Sequence, residues 1–306
     1  MANARTRRQF LREAGLTGAA LTLLGAGCAN DSEMAELELV RLFSSDSVIV
    51  AGMEQRLPLG LVDNGSPVVG EGSSVDVRVL LDGVRVDEVT VPSRLVNHDH
   101  PQGDGDTPHE HADIVRYFPL RTTLPEPGIY DLEVLVEGQT ISLPVQAFAA
   151  EDVGIIVPGS PFPRLDTPTL VAPGPMEPLC TLFDGPCPFH DRTVAEVLDA
   201  GDPLAFLIAT PAFCSTAYCG PVLQTLIDSV GNFPSIQPIH LEVYENPREV
   251  DGDLSDPNLR PVAAFAELGL TFEPSLFLVG RDGMLADRID NVFDKAELEL
   301  ALALIA

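Results

Sequence analysis

Positive charge is scarce in this 306-residue chain: 18 lysines and arginines stand against 46 aspartates and glutamates, a formal net charge of −28. So acidic a body repels phosphate backbones and anionic membrane surfaces, which argues against nucleic-acid binding. Lysine is represented by Lys295 alone, a bias that fits a GC-rich coding sequence or a salt-adapted surface and carries no chemistry. Long apolar runs are also missing: the best, Ala14 to Ala26, is short and glycine-rich for a bilayer span. What the chain does have is 45 % hydrophobic residues, enough for real cores, and a length that predicts two domains of ordinary size.

Residues 1–30 read as a targeting segment and stand outside the fold. The run Thr6-Arg7-Arg8-Gln9-Phe10-Leu11 resembles a twin-arginine (Tat) export signal, and Leu24-Gly25-Ala26-Gly27-Cys28 resembles a lipobox, with Gly25 where a leucine is usual. The resemblance implies that Cys28 is lipidated and that the body is exported, outside the cytoplasmic membrane, as an envelope lipoprotein. Simple cleavage and an uncleaved anchor are the alternatives. Twin-arginine export carries folded cargo, so folding and any cofactor loading would precede translocation. Outside the cytoplasm disulfides persist. The four other cysteines fall in two close pairs, Cys180 with Cys187 and Cys214 with Cys219.

From residue 37 to 150 the pattern is short and strand-like. Val75 to Leu80 alternates apolar with polar, Asp82-Gly83 is a hairpin turn, and Val84, Val86, Val89 and Val91 continue beyond it. Ile129 to Val136 and Ile141 to Val145 follow in the same manner, so the spacing predicts an all-β sandwich. The segment Gly128-Ile129-Tyr130-Asp131-Leu132 resembles the tyrosine-bearing late strand of immunoglobulin-like domains, although the chain has no tryptophan and this region no cysteine pair.

Residues 151–192 form a proline-rich linker carrying Cys180 and Cys187; seven prolines between 151 and 178 rule out a helix there. From 193 to 306 the period changes. Helical stripes at Thr193–Ala200, Pro221–Val230, Pro261–Leu268 and Lys295–Ile305 alternate with apolar runs at Leu204–Ala209, Ile239–Val243, Ser275–Val279 and Met284–Ile289. That order, with cysteines after the first strand and Pro274 directly before the third, resembles the thioredoxin fold. The resemblance implies an α/β thioredoxin-like C-terminal domain behind the immunoglobulin-like sandwich, with Pro274 as a cis-proline beside active cysteines.

The chemical hypothesis rests on Cys214-Ser215-Thr216-Ala217-Tyr218-Cys219-Gly220-Pro221. A thiol at a helix N-terminus faces unpaired N–H groups and the positive end of the helix dipole, which favour thiolate, the attacking species in disulfide exchange. By its place after the strand, Cys214 resembles the attacking cysteine of thioredoxins, with Phe213 in place of their tryptophan. Four residues separate the cysteines where thioredoxins have two. No acid lies within Leu204–Ala209, where thioredoxins bury a proton-shuttling carboxylate, and Glu273 stands beside Pro274 where a small or apolar residue is usual. Thr216-Ala217-Tyr218-Cys219 has a partial likeness to peroxiredoxins. The expected function is thiol–disulfide exchange with an unidentified protein partner, needing no cofactor. An inert disulfide and a metal site remain open for the same two cysteines.

Cys180 and Cys187 flank an Asp184-Gly185-Pro186 turn, which predicts a structural disulfide clipping the linker, with a second redox pair as its rival. His98, His100, His109 and His111 bracket an acidic, glycine-rich loop. Alternating histidines on an extended strand could supply nitrogen ligands for copper or zinc, against the plainer reading of a solvated polar loop. A copper role resembles that of Sco-type chaperones, with the difference that they hold three residues between their cysteines. It defines the alternative: a non-enzymatic, metal-binding or partner-binding envelope lipoprotein.

Overall fold

Alternating apolar residues separated by tight turns build the first half of the chain into ten strands: β1 (Leu37–Arg41), β2 (Ile49–Val50), β3 (Glu54–Asp63), β4 (Ser66–Pro67), β5 (Val75–Leu81), β6 (Val84–Val91), β7 (Arg94–His98), β8 (Asp113–Thr123), β9 (Gly128–Val136) and β10 (Gln139–Phe148). The computed structural model describes residues 37–43, 49–68, 72–98, 113–182, 185–214, 218–250 and 253–306. Residues 1–30, expected to be a targeting segment and carrying Cys28, and His100, His109 and His111, lie outside the described residues.

These strands form two sheets, one ordered β1-β3-β8-β7 with β4 on β3, the other β2-β10-β9-β5-β6. Between β5 and β6, Asp82 and Gly83 both take left-handed backbone, φ 51° and 76°. That is the two-residue turn whose twist matches its flanking strands, and glycine adopts it without steric penalty. Period-2 alternation sends Val77, Val79, Leu132 and Tyr130 from one sheet against Leu59 and Leu120 from the other, all fully buried. The Tyr130 hydroxyl donates to the Glu126 carbonyl at 2.7 Å, so its polar end is satisfied inside an apolar core.

After a single 3-10 turn at Ala150–Asp152, residues 153–193 run as an irregular, proline-rich strap. Ile155, Phe162, Leu165 and Met176 are buried from it into the second core. Gly269 permits part of this packing: at φ 68°, a Cβ there would meet the Gly154 carbonyl oxygen at 2.1 Å. The remaining elements are α1 (Val194–Ala200), β11 (Leu204–Ile208), α2 (Cys219–Val230), β12 (Gln237–Leu241), α3 (Ala263–Glu267), β13 (Ser275–Val279), β14 (Leu285–Asp290) and α4 (Lys295–Leu302). The third sheet runs β12-β11-β13-β14, with β11 parallel to β12 and antiparallel to β13.

Every residue of β11 is buried, because both sheet faces are covered. Leu204, Phe206 and Ile208 meet the strap, α1 and Phe277 on one side. Ala205 and Leu207 meet Val222, Leu223 and Leu226 of α2 and Leu298 of α4 on the other.

The expected fold class, an α/β thioredoxin-like domain behind an immunoglobulin-like sandwich, is corrected by this architecture. The protein is mostly β, 38 % strand against 15 % helix, with three sheets and four α-helices among the described residues. A capping box between Thr193 and Glu196 starts α1 and Gly201 at φ 70° ends it, in agreement with the stripe at Thr193–Ala200. The stripe at Lys295–Ile305 overstates its helix, which stops at Leu302. The stripe at Pro261–Leu268 yields only the five residues of α3.

Residues Glu36–Ala306 form one compact unit. Buried polar contacts tie the β1-β3-β8-β7 sheet to the chain around β14 and α4. Arg56 Nε donates to Glu297 Oε1 at 2.6 Å, Arg56 Nη1 to the Asp290 carbonyl at 3.0 Å, and the Tyr117 hydroxyl to Glu297 Oε2 at 2.8 Å. Val292, fully buried, packs beside them against Val96, Val115 and Tyr117.

Candidate functional site

Two residues beyond the end of β11 stands Thr210, whose Oγ1 accepts from Val243 N–H at 3.0 Å and whose own N–H donates to Glu273 Oε2 at 2.6 Å. From this anchored point the chain turns through Pro211–Phe213 to Cys214. Residues 215–217 are outside the described set, and α2 opens at Cys219. The N-cap of α2 is Tyr218, which makes no side-chain capping hydrogen bond.

Cys214 and Cys219 are joined as a disulfide with their Cα atoms 6.0 Å apart. The two sulfurs are not equivalent. Cys219 is fully buried under α2, whereas Cys214 is only partly buried. Pro274 follows a cis peptide bond from Glu273 and is buried directly before β13.

Glu273 supplies what β11 lacks. Its carboxyl is buried, with Oε2 3.5 Å from Cys219 Sγ. Burial pushes its pKa up from 4.5 to about 8, against the opposing pull of the Thr210 hydrogen bonds. At neutral pH this carboxyl is protonated beside the inner sulfur. The carboxyl beside Cys219 comes from the segment before β13, not from β11.

The second cysteine pair departs from expectation. Cys180 and Cys187 are not bridged; both are free, buried thiols. The disulfide expected from their closeness in sequence is absent, and both sulfurs lie beside imidazole. Cys187 Sγ lies 3.3 Å from His190 Nε2 and 3.5 Å from His240 Nδ1, and Cys180 Sγ lies 3.7 Å from the same His240 Nδ1. The hydrogen bond from the Cys187 thiol, with help from the two histidines, holds Cys180 well below the usual thiol range, and the same bond raises Cys187.

Next to this cluster, Glu242 is completely buried. Burial first, then the charge on Cys180, raises its pKa far above the usual carboxylate range, while Thr181 N–H donates to its Oε1 at 2.6 Å. Thr181 Oγ1 also accepts from Ala212 N–H at 3.0 Å, so the residue after Cys180 is bonded to the loop that leads to Cys214.

Two groups in the described residues bring donor atoms within 4.8 Å of one another and could hold a metal ion: Cys180, Cys187, His190 and His240, and Cys214, Cys219 and Glu273. In the second group the sulfurs are spent on each other, and thiolate is the ligand form of cysteine. Of the histidines read as metal candidates, only His98 is described. Its backbone ends β7, paired with Asp113.

The sequence places His190 beside Cys187, where it could support thiolate formation, but nothing in it brings His240 to this pair. Cys187-x-x-His190 is a ligand-like spacing visible locally. His240 carried one faint signal, an imidazole set in the apolar run of β12.

Compared with protein-family models, with curated proteins and with solved structures, the chain matches none.

Proposed function

We propose that the protein is an exported, lipid-anchored thiol–disulfide exchange protein that acts through Cys214 and Cys219 on a protein dithiol or disulfide. The observation that carries this reading is the asymmetry of the pair. The partly exposed sulfur of Cys214 is bonded to a buried sulfur that has a protonated carboxyl, Glu273, 3.5 Å away.

The exchange runs as follows. A thiolate of the partner attacks Cys214 Sγ, the sulfur that reaches the surface. The bond to Cys219 breaks, its electron pair leaves on Cys219 Sγ, and the proton of Glu273 neutralises it. A second partner thiolate then attacks the partner's sulfur in the mixed disulfide and expels Cys214 as thiolate. The partner leaves oxidised, both cysteines are reduced, and two electrons have moved. The reverse sequence reduces a partner disulfide, with Glu273 taking the proton back. The Tat-like and lipobox-like leader supports placing this chemistry outside the cytoplasm, held at the membrane through Cys28.

Redox titration with thiol trapping tests the reading. The expected result is a pair that opens and closes reversibly in the native protein, at a potential within the broad range of about −120 to −270 mV spanned by disulfide exchange proteins. A pair that stays oxidised against strong dithiol reductants until the chain unfolds would be structural and would overturn it.

A further inference from the structure

We propose that Cys180, Cys187, His190 and His240 hold one zinc ion in a closed, tetrahedral site that pins the proline-rich strap to the third sheet. This goes beyond thiol exchange and does not depend on it.

The four donors suit such an ion in kind and in spacing. Two thiols and two imidazoles are each 5 % exposed or less. Zinc bonds of about 2.3 Å to sulfur and about 2.0–2.1 Å to nitrogen, at tetrahedral angles, put sulfur about 3.6 Å from nitrogen. The three sulfur–nitrogen separations here are 3.3, 3.5 and 3.7 Å. All four donor atoms fit within 4.8 Å of one another, so one centre can reach each of them.

Protonation states point the same way. His240 Nε2 lies 2.9 Å from the Ala209 carbonyl oxygen. A carbonyl only accepts, so Nε2 carries the ring proton and Nδ1 turns its lone pair to the two sulfurs, the arrangement in which an outer hydrogen bond orients a metal ligand. His190 is buried, and its Nε2 lies 3.3 Å from Cys187 Sγ. A cation bound at Nε2 places the ring proton on Nδ1, which meets no hydrogen-bond partner among the described residues.

The donor set also selects among metals. Thiolate with imidazole at four tetrahedral corners suits zinc, whereas magnesium and calcium take oxygen ligands. Four protein ligands leave no position for substrate, so the site is structural rather than catalytic. Cys180, Cys187 and His190 come from the strap and His240 from β12. The ion would therefore close a loop between segments that share few regular backbone bonds. Through Thr181 to Ala212 and His240 to Ala209, it would also steady the chain entering Cys214.

Elemental analysis of the full protein, purified without denaturation and dialysed against chelator, should find one zinc per chain. Cobalt(II) exchanged into the site should give intense tetrahedral d–d bands and thiolate-to-cobalt charge transfer. Cys214→Ser/Cys219→Ser should keep the full zinc content, and His240→Ala should lose it at least tenfold. Should His240→Ala fail to fold, the cobalt spectrum of the unaltered chain decides alone. A Cys180–Cys187 disulfide in the native protein, copper in place of zinc, a weak octahedral cobalt spectrum, or zinc unchanged in a folded His240→Ala protein would each overturn the proposal. None of these results bears on whether Cys214 and Cys219 cycle.

Discussion

Glu273 Oε2 and Cys219 Sγ stand 3.5 Å apart in the interior, with the same carboxyl held by the Thr210 N–H at 2.6 Å. The carboxyl therefore has a fixed aim and a raised pKa of about 8, the two properties a proton donor to a departing thiolate needs. Replacing it with the isosteric amide in Glu273→Gln keeps the acceptor for Thr210 and removes the proton. Reduction of the Cys214–Cys219 bond by a small dithiol should slow by about 100-fold near neutral pH. The inflection near pH 8 in its rate profile should disappear. Unchanged stopped-flow rates in a folded variant would show that solvent protonates Cys219.

The same residue makes stability depend on pH. Its folded pKa lies above the unfolded 4.5, so between these values the native state holds a proton that the unfolded chain has lost. Stability is then fully present below about pH 4.5 and declines as pH rises through about 8, by up to about 1.4 kcal/mol per pH unit inside the window. Cys219 and Thr210 contact the group directly, and Glu242 and Tyr244 interact with it electrostatically. Glu242, also raised, adds a slope of the same sign. The difference between the native chain and Glu273→Gln isolates the share of Glu273, and thermal unfolding from pH 4 to 9 should show a flatter profile in the variant.

Unequal exposure of the two sulfurs sets an order of attack. With Cys219→Ser, the reduced Cys214 should attack a partner disulfide and remain bound as a mixed disulfide, because the resolving sulfur is gone. With Cys214→Ser, the remaining thiol is fully buried and no adduct should form. Non-reducing electrophoresis with mass spectrometry of the adduct checks both. Equal adducts from the two variants would contradict the assigned roles.

Local signals in the sequence were read well where neighbours along the chain decide the outcome. The Val75 to Val91 hairpin follows from alternation and an Asp82-Gly83 turn, and Leu204 to Ile208 is a buried strand because its run is continuously apolar. Legibility fails where partners are distant. Cys180 and Cys187 are seven residues apart, which suggests a bridge, but both are free thiols with His240, 60 residues from Cys180, beside both sulfurs. That approach depends on β12 lying beside β11 with His240 opposite Leu207, a register that no periodicity encodes. Fold class failed for a related reason. Apolar stripes mark which face is buried but not how many turns a helix keeps, and the shortened α3 and α4 leave the balance with the sheets.

Arg56 and Glu297 are 241 residues apart and nearly enclosed, their side chains 2 % and 8 % exposed. The guanidinium also bonds the Asp290 and Val292 carbonyls, and Glu297 also accepts from Tyr117. Every strong partner of each charge is thus inside the fold, where removing one charge strands the other. Glu297→Gln or Arg56→Met alone should cost about 3–5 kcal/mol in denaturant unfolding, with little relief from added salt, because ions screen buried pairs poorly. The double change Arg56→Met/Glu297→Leu should cost less than the sum of the single losses, since it leaves no orphaned charge. Additive losses would mean that the two side chains act independently and that Val292, packed against Val96, Val115 and Tyr117, holds the β1-β3-β8-β7 sheet to α4 without them.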